Sequence, residues 1–183
     1  LDLKEIPISN YTQLHEGMGA LSAKHFSNYP PFNQALFALA ALFGGKSILG
    51  SVIVLRLQII LADLGILFFG KRLLDILGKP KQTIFWYFLN PLVIIELTGN
   101  LHFEGVMLFF MVWALYLILK KNWSLAAPVY ALSILTKLLP ILFLPLFLRF
   151  LGIQKSIGFY LLVIASCVLL FLPFYDPNFA GNY

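Results

Sequence analysis

From residue 32 onward the chain is a succession of long apolar runs set off by short polar breaks. Stretches 48–70, 82–98, 103–119 and 156–174 each fall within the roughly 17–25 apolar residues that a helix needs to cross a bilayer, so each predicts a spanning helix, the second interrupted near its middle by Asn90-Pro91. The run 32–44, "FNQALFALAALFG", is apolar but too short to cross and predicts an interfacial or partly inserted helix. Stretch 124–150, "SLAAPVYALSILTKLLPILFLPLFLRF", is interrupted by Pro128, Pro140 and Pro145. Each interior proline removes a backbone hydrogen bond and kinks or ends a helix. Two half-length helices, 124–138 and 140–150, therefore form either a re-entrant pair or two short tilted spans with a kink. Both arrangements return the chain to the side from which it came. Residues 1–31 are polar and mixed, and nothing in them can span.

The pattern predicts an all-α fold, a polytopic transmembrane helical bundle. Residues 1–47 supply an N-terminal extracytoplasmic loop and interfacial helix that form part of the site, and 48–183 form the bundle. Composition agrees: 60% of residues are hydrophobic and 11% charged, against about 45–50% and about 25% in soluble domains. The chain begins at Leu1 and ends in "DPNFAGNY", which reads as a piece of a larger polytopic protein, incomplete at both ends.

The net charge of +5 does not point to nucleic acid, because Lys and Arg gather between the apolar runs. Lys71, Arg72, Lys79, Lys81, Lys120, Lys121, Arg149 and Lys155 all fall on one side if 32–44 does not cross. The positive-inside rule makes that side cytoplasmic. The opposite face then receives 1–47, the turn "GNLHFEG" at 99–105, the break at Lys137 and the tail near Asp176. Cys167, the single cysteine, lies in an apolar run and reads as a packed thiol; one cysteine makes no disulfide framework.

Ionisable groups inside spans are costly and suggest function. Arg56 and Asp63 stand seven residues apart, two turns on one helix face, and each needs a partner on another helix. For Arg56 that partner is either a carboxylate or an anionic phosphate. Downstream, Asn100, His102 and Glu104 place an acceptor, a donor and a titratable group within five residues. Glu104 also suits a helix N-terminus electrostatically. His102 and Glu104 together would offer a divalent cation two ligands, too few to define a site. Lys137 must find an anion or water, or snorkel. Upstream, "FSNYPPFNQ" at 26–34 gathers Asn28, Asn33 and Gln34 around Tyr29-Pro30-Pro31, more polarity than a helix start requires.

Tyr29-Pro30-Pro31, Arg56 with Asp63, Asn90-Pro91 followed by Gly99-Asn100-x-His102-Phe103, and Lys137-x-x-Pro140 together resemble the GT-C superfamily of membrane glycosyltransferases, over roughly 26–150. Bacterial mannosyltransferase-like members are the nearest in pattern. The resemblance implies an inverting transfer of a hexose, mannose first, from a polyprenyl-phosphate sugar to a glycan or lipid acceptor. It implies a multi-pass protein of a bacterial inner membrane with its site on the extracytoplasmic face. On this likeness Arg56 and Lys137 are phosphate-side residues, His102 and Glu104 line the acceptor or donor pocket as candidate catalytic groups, and Tyr29, Pro30, Pro31 and Asn100 border it. The family's catalytic acid usually precedes the Tyr-Pro-Pro motif. Asp2, Glu5 and Glu16 match it poorly, which places that acid upstream of residue 1. The alternative is a transporter or lipid flippase subunit, where broken helices and buried charges also occur. That reading expects an inverted repeat, and neither "YPPFNQ" nor "GNLHFEG" has a second copy.

Overall fold

The computed structural model describes residues 16–19, 29–45 and 47–174. The acids Asp2 and Glu5, together with Asn28 and Asp176, lie outside the described residues. Within them the chain is helical, with no strand. The main helices are α1 (Pro31–Gly44), α2 (Ile48–Ile76), α3 (Glu104–Leu119), α4 (Trp123–Thr136), α5 (Leu144–Leu151) and α6 (Ile153–Phe171). By length and composition, α2 and the stretch Ile153–Phe174 can each cross a membrane. A third span results if the bent pair Pro91–Gly99 and α3 is counted as one. Leu57, Leu61, Leu64 and Phe68 on α2, and Leu161, Ile164 and Leu169 on α6, are exposed. Outward apolar rows of this kind suit lipid rather than water.

Pro30 takes extended backbone and Pro31 opens α1. Proline suits that position because the first helical N–H has no partner in any case. Gly44 and Gly50 let α1 and α2 meet backbone to backbone. A Cβ on Gly44 would lie 2.4 Å from the Ser51 backbone nitrogen, and one on Gly50 2.6 Å from the Gly44 carbonyl oxygen. Gln58 ties the two helices by donating from Nε2 to the Leu36 carbonyl at 3.1 Å.

Helices α2 and α3 run parallel. Gly105 lies beside Ile59, Gly65 lies against the Phe109 ring, and Phe69 stacks on Trp113 with centroids 5.2 Å apart. The connection must therefore travel back along the bundle. It leaves near Gly70, where Ile84 packs, and arrives beside Arg56, where Thr98 is held. Fourteen residues of α2 separate those levels, about 21 Å of helix.

This return segment breaks at Asn90-Pro91, as the sequence suggests, and is more fragmented than one helix with a single interruption. It consists of a 3₁₀ turn Lys81–Ile84, a single turn Phe85–Phe88, a short helix Pro91–Val93 and a π-helical turn Ile94–Gly99. Asn90 Oδ1 accepts from the Leu92 N–H at 3.0 Å. That bond caps a fresh start exactly where Pro91 can donate nothing, so the path survives and the continuity does not.

At Pro128 the helix continues, within the half-length helix expected over 124–138: α4 runs straight through the proline. The neighbouring Ala126, Ala127, Tyr130 and Ala131 are fully buried, and this packing outweighs the one backbone bond that proline forfeits. The real break follows Thr136. Lys137 is extended (φ −155°, ψ 137°), and a 3₁₀ turn Leu139–Phe143 leads into α5, which descends alongside α4 and α6. Tyr130 fixes this corner by donating its hydroxyl to the Pro140 carbonyl at 2.7 Å. Its ring packs on Phe147 and Phe159 in the main core.

The basic residues between the apolar runs collect at one end of the bundle. Lys120 and Lys121 close α3, sixteen and seventeen residues beyond Glu104, or about 24 Å. Arg149 ends α5 and Lys155 opens α6, whose Gly158 packs against Trp123 at the start of α4. Glu104 and Lys137 lie at the other end.

Candidate functional site

The site forms where three chain breaks meet: the start of α1, the corner between the π-helical turn and α3, and the corner after α4. The π-helical turn closes with two wide backbone bonds, from Asn100 N–H to the Ile95 carbonyl (2.8 Å) and from His102 N–H to the Leu97 carbonyl (3.0 Å). Leu101 then adopts φ +59°, a left-handed conformation costly for a leucine and often found where function demands it. Its side chain is held by the cluster of Ile59, Ala62, Phe103 and Val106. The chain bends by 111° there, and α3 leaves at a new angle.

Two residues of α2 grip this turn. Arg56 donates from Nε to the Thr98 carbonyl (3.2 Å) and from Nη2 to the Gly99 carbonyl (3.3 Å). Asp63 Oδ2 accepts from the Thr98 hydroxyl at 3.3 Å. The last carbonyls of any helix lack partners within it, and Arg56 satisfies two of them. The sequence expectation that Arg56 and Asp63 meet partners on another element therefore holds, and within the chain Arg56 meets backbone carbonyls rather than a carboxylate. Replacing Arg56 with Ala is expected to cost about 1–2 kcal/mol of stability by stranding these carbonyls. Thermal unfolding in detergent checks this, with Arg56→Lys recovering part of the loss.

Tyr29, Phe37, Leu101, His102, Phe103, Glu104, Thr136 and Lys137 enclose a cavity of about 190 Å³. Glu104, the first residue of α3, forms an ion pair through Oε1 with Lys137 Nζ. Both side chains remain partly open to the cavity, at 32% and 40% exposure. His102 Nδ1 lies 3.6 Å from Glu96 Oε2, which also accepts from Asn100 Nδ2 at 3.3 Å. Aromatic rings build the floor: Phe37 meets Tyr29 and Phe103 edge to face, with centroids 5.6 and 5.2 Å apart.

The structure thus brings Tyr29, His102, Glu104 and Lys137 together, as the shared face of the motifs anticipated. It leaves Arg56 outside the cavity, behind the 98–99 turn, so the expected convergence of four polar side chains is a convergence without Arg56. Pro30 and Pro31 set the start of α1, and Asn100 faces Glu96; none of the three lines the cavity. Glu96 and Phe37 were not singled out as site residues from the sequence. No sequence signal marked Phe37, since Tyr29 precedes α1 and helical spacing does not relate the two.

Among the described residues no group of three or more His, Cys, Asp or Glu side chains is placed to hold a metal ion. The pair anticipated for a divalent cation, His102 and Glu104, is split, since Glu104 faces Lys137 and His102 faces Glu96.

Comparison with curated proteins and with solved structures returned no match. A family model, in contrast, matches residues 4–152, which include every residue of the cavity and of the Arg56–Asp63 grip. On that match the chain belongs to the MptA_B family, described as the N-terminal domain of an alpha-(1->6)-mannopyranosyltransferase, a mannosyltransferase family of GT-C type.

Proposed function

We propose that the cavity binds the phosphate and sugar of a polyprenyl-phosphate mannose and transfers the mannosyl group, with inversion, to a hydroxyl of a glycan or lipid acceptor. The observation that carries this reading is the Glu104–Lys137 ion pair, half-open to a cavity beside His102 and Tyr29. A lysine held by one carboxylate at a cavity wall can exchange that carboxylate for an incoming phosphate. The exchange frees Glu104 next to the bound donor. The acceptor oxygen then bonds to the anomeric carbon and the bond from that carbon to the phosphate oxygen breaks. Polyprenyl phosphate leaves with the electron pair, its charge met by Lys137, while Glu104 accepts the hydroxyl proton and His102 orients the attacking group.

The basic clusters at the far end of the bundle support a multi-pass arrangement with this cavity on the extracytoplasmic face. A lipid-linked donor fits that placement, because a cavity on that side has no access to cytoplasmic nucleotide sugars. The described residues offer a divalent cation only scattered ligands, so the proposed route relies on Lys137 for the phosphate charge.

The test supplies membranes carrying the full-length protein with radiolabelled polyprenyl-phosphate mannose or with nucleoside-diphosphate mannose. Label should pass to the acceptor from the lipid donor. Transfer that needs only the nucleotide sugar, in membranes unable to form the lipid-linked one, refutes the donor assignment. Solute flux with no transfer from either would point to transport instead.

A further inference from the structure

The end of the bundle away from Glu104 and Lys137 carries a second polar feature. Leu64, Leu67, Phe68, Lys71, Arg72 and Lys81 line a groove of about 500 Å³ between α2 and the 3₁₀ turn that opens the return segment. Three of the six are cations. Over 71–81 the chain has four cations and one acid, Asp75, so the groove is strongly positive. Lys71 stands twelve residues of α2 beyond Ile59, the level at which Gly105 packs, and so about 18 Å from the cavity end.

Basic residues at the end of a spanning helix commonly reach away into water. Here two of them are held at the groove instead. Arg72 folds back on α2: its guanidinium carbon lies 3.3 Å from the centre of the Phe68 ring, and Nη1 donates to the Phe68 carbonyl at 3.3 Å. Lys71 Nζ lies 5.2 Å from the centre of the Phe85 ring. Among the described residues neither cation has a carboxylate partner, and most of the N–H donors of both are left for a ligand. Lys81 meets Asp75 at 3.1 Å, a contact that uses only part of its donor capacity.

The apolar side of the groove complements these charges. Leu57, Leu61, Leu64 and Phe68 are exposed on α2, at the three- and four-residue spacing of a helical stripe. Lys71 and Arg72 end that stripe. From Leu57 to Phe68 it runs about 16 Å, close to the depth of one leaflet, about 15 Å.

We propose that this groove binds an anionic phospholipid, its phosphate held by Lys71 and Arg72 with Lys81 at the rim, and its acyl chains laid along the Leu57–Phe68 stripe. The guanidinium supplies the forked donors that phosphate oxygens favour, and the ammonium supplies a point charge. The positive charge of this whole face attracts anionic lipid in general, whereas the groove fixes one molecule. A zwitterionic lipid brings a cation of its own, which the local charge repels. The site is independent of the reaction proposed for the far cavity.

The experiment uses purified full-length protein in detergent with added dioleoyl phosphatidylglycerol, dioleoyl phosphatidylcholine or inorganic phosphate. Melting temperature is followed, and retained lipid is counted by native mass spectrometry. Phosphatidylglycerol should raise the melting temperature of wild type and stay bound, and phosphatidylcholine should do so much less. The double variant Lys71→Gln with Arg72→Gln should bind phosphatidylglycerol about 30-fold more weakly, the equivalent of about 2 kcal/mol for two cations at a membrane surface. A control, Lys120→Gln with Lys121→Gln, removes the same charge from the same end but not from the groove, and should keep the lipid. Equal loss in the two double variants overturns the inference and leaves only a general attraction. So does the absence of any effect of phosphatidylglycerol on wild type, or an equal effect of phosphatidylcholine. Inorganic phosphate giving the same shift as the lipid also overturns it, since the groove would then be a free-anion site. Should the Lys71 and Arg72 double variant fail to fold, Lys71→Gln and Arg72→Gln are taken singly, each expected to weaken binding about fivefold. Folded single variants with wild-type lipid affinity, or failure of both to fold, overturn the inference.

Discussion

Lys137→Met is expected to lower mannose transfer from polyprenyl-phosphate mannose by about 10²–10³-fold, the range typical for removing one electrostatic contact to a developing charge. Methionine keeps the length and apolar stem of lysine and deletes only the charge. Both kcat and kcat/KM should fall, because the phosphate gains charge as it leaves and the ammonium acts most strongly then. Glu104 loses its partner in the same variant. Since it keeps about a third of its side-chain surface exposed, water can take over, and the fold should survive with a modest loss of stability. The reversed pair, Lys137→Glu with Glu104→Lys, separates the two roles. It restores the ion pair and the melting temperature, and it should remain inactive because the cation now projects from α3. Transfer rates and melting temperatures of the three proteins, measured on the same detergent preparation, test this. Activity in Lys137→Met within a few-fold of wild type would remove Lys137 from the phosphate site.

Tyr130 carries the largest expected effect on stability. It is fully buried in the main core, with its ring against Phe147 and Phe159. Truncation to alanine should cost about 3–5 kcal/mol through the cavity it leaves. In a membrane protein much of that cost is lost van der Waals contact, since lipid offers the side chain an apolar alternative. Tyr130→Phe isolates the hydroxyl. It strands the Pro140 carbonyl and should cost about 1–3 kcal/mol. Its effect on transfer should exceed its effect on stability, because the Tyr130–Pro140 bond positions the corner from which Lys137 projects. Thermal unfolding and transfer assays on Ala and Phe variants distinguish the two contributions. A Phe variant with wild-type transfer would show that the corner holds without this bond.

Local sequence determined much of this molecule. Apolar runs long enough for α2, α3 and α6 specify helices because each buries its own backbone hydrogen bonds, the condition for lying in lipid. Pro30-Pro31 and Pro140 mark chain breaks because proline lacks a donor wherever it stands. Types and order of the residues around those breaks gathered Arg56, His102, Glu104 and Lys137 as one group facing the side of Tyr29, and the cavity takes all of these but Arg56. Pairing was not legible. Lys137 and Glu104 lie 33 positions apart, and only the antiparallel return of α4 along α3, tied by the Ser133 hydroxyl to the Met107 carbonyl, brings them into contact. Arg56 reads from sequence as a partner for a carboxylate or a phosphate, and within the chain the acceptors it meets are carbonyls that the π-helical turn leaves without partners. Those carbonyls exist only once the turn has formed. Pro128 and Asn90-Pro91 carry the same chemistry and have opposite outcomes. Buried packing holds α4 together across Pro128, whereas at Asn90 a side-chain cap stabilises a new start, in a segment with exposed residues on either side.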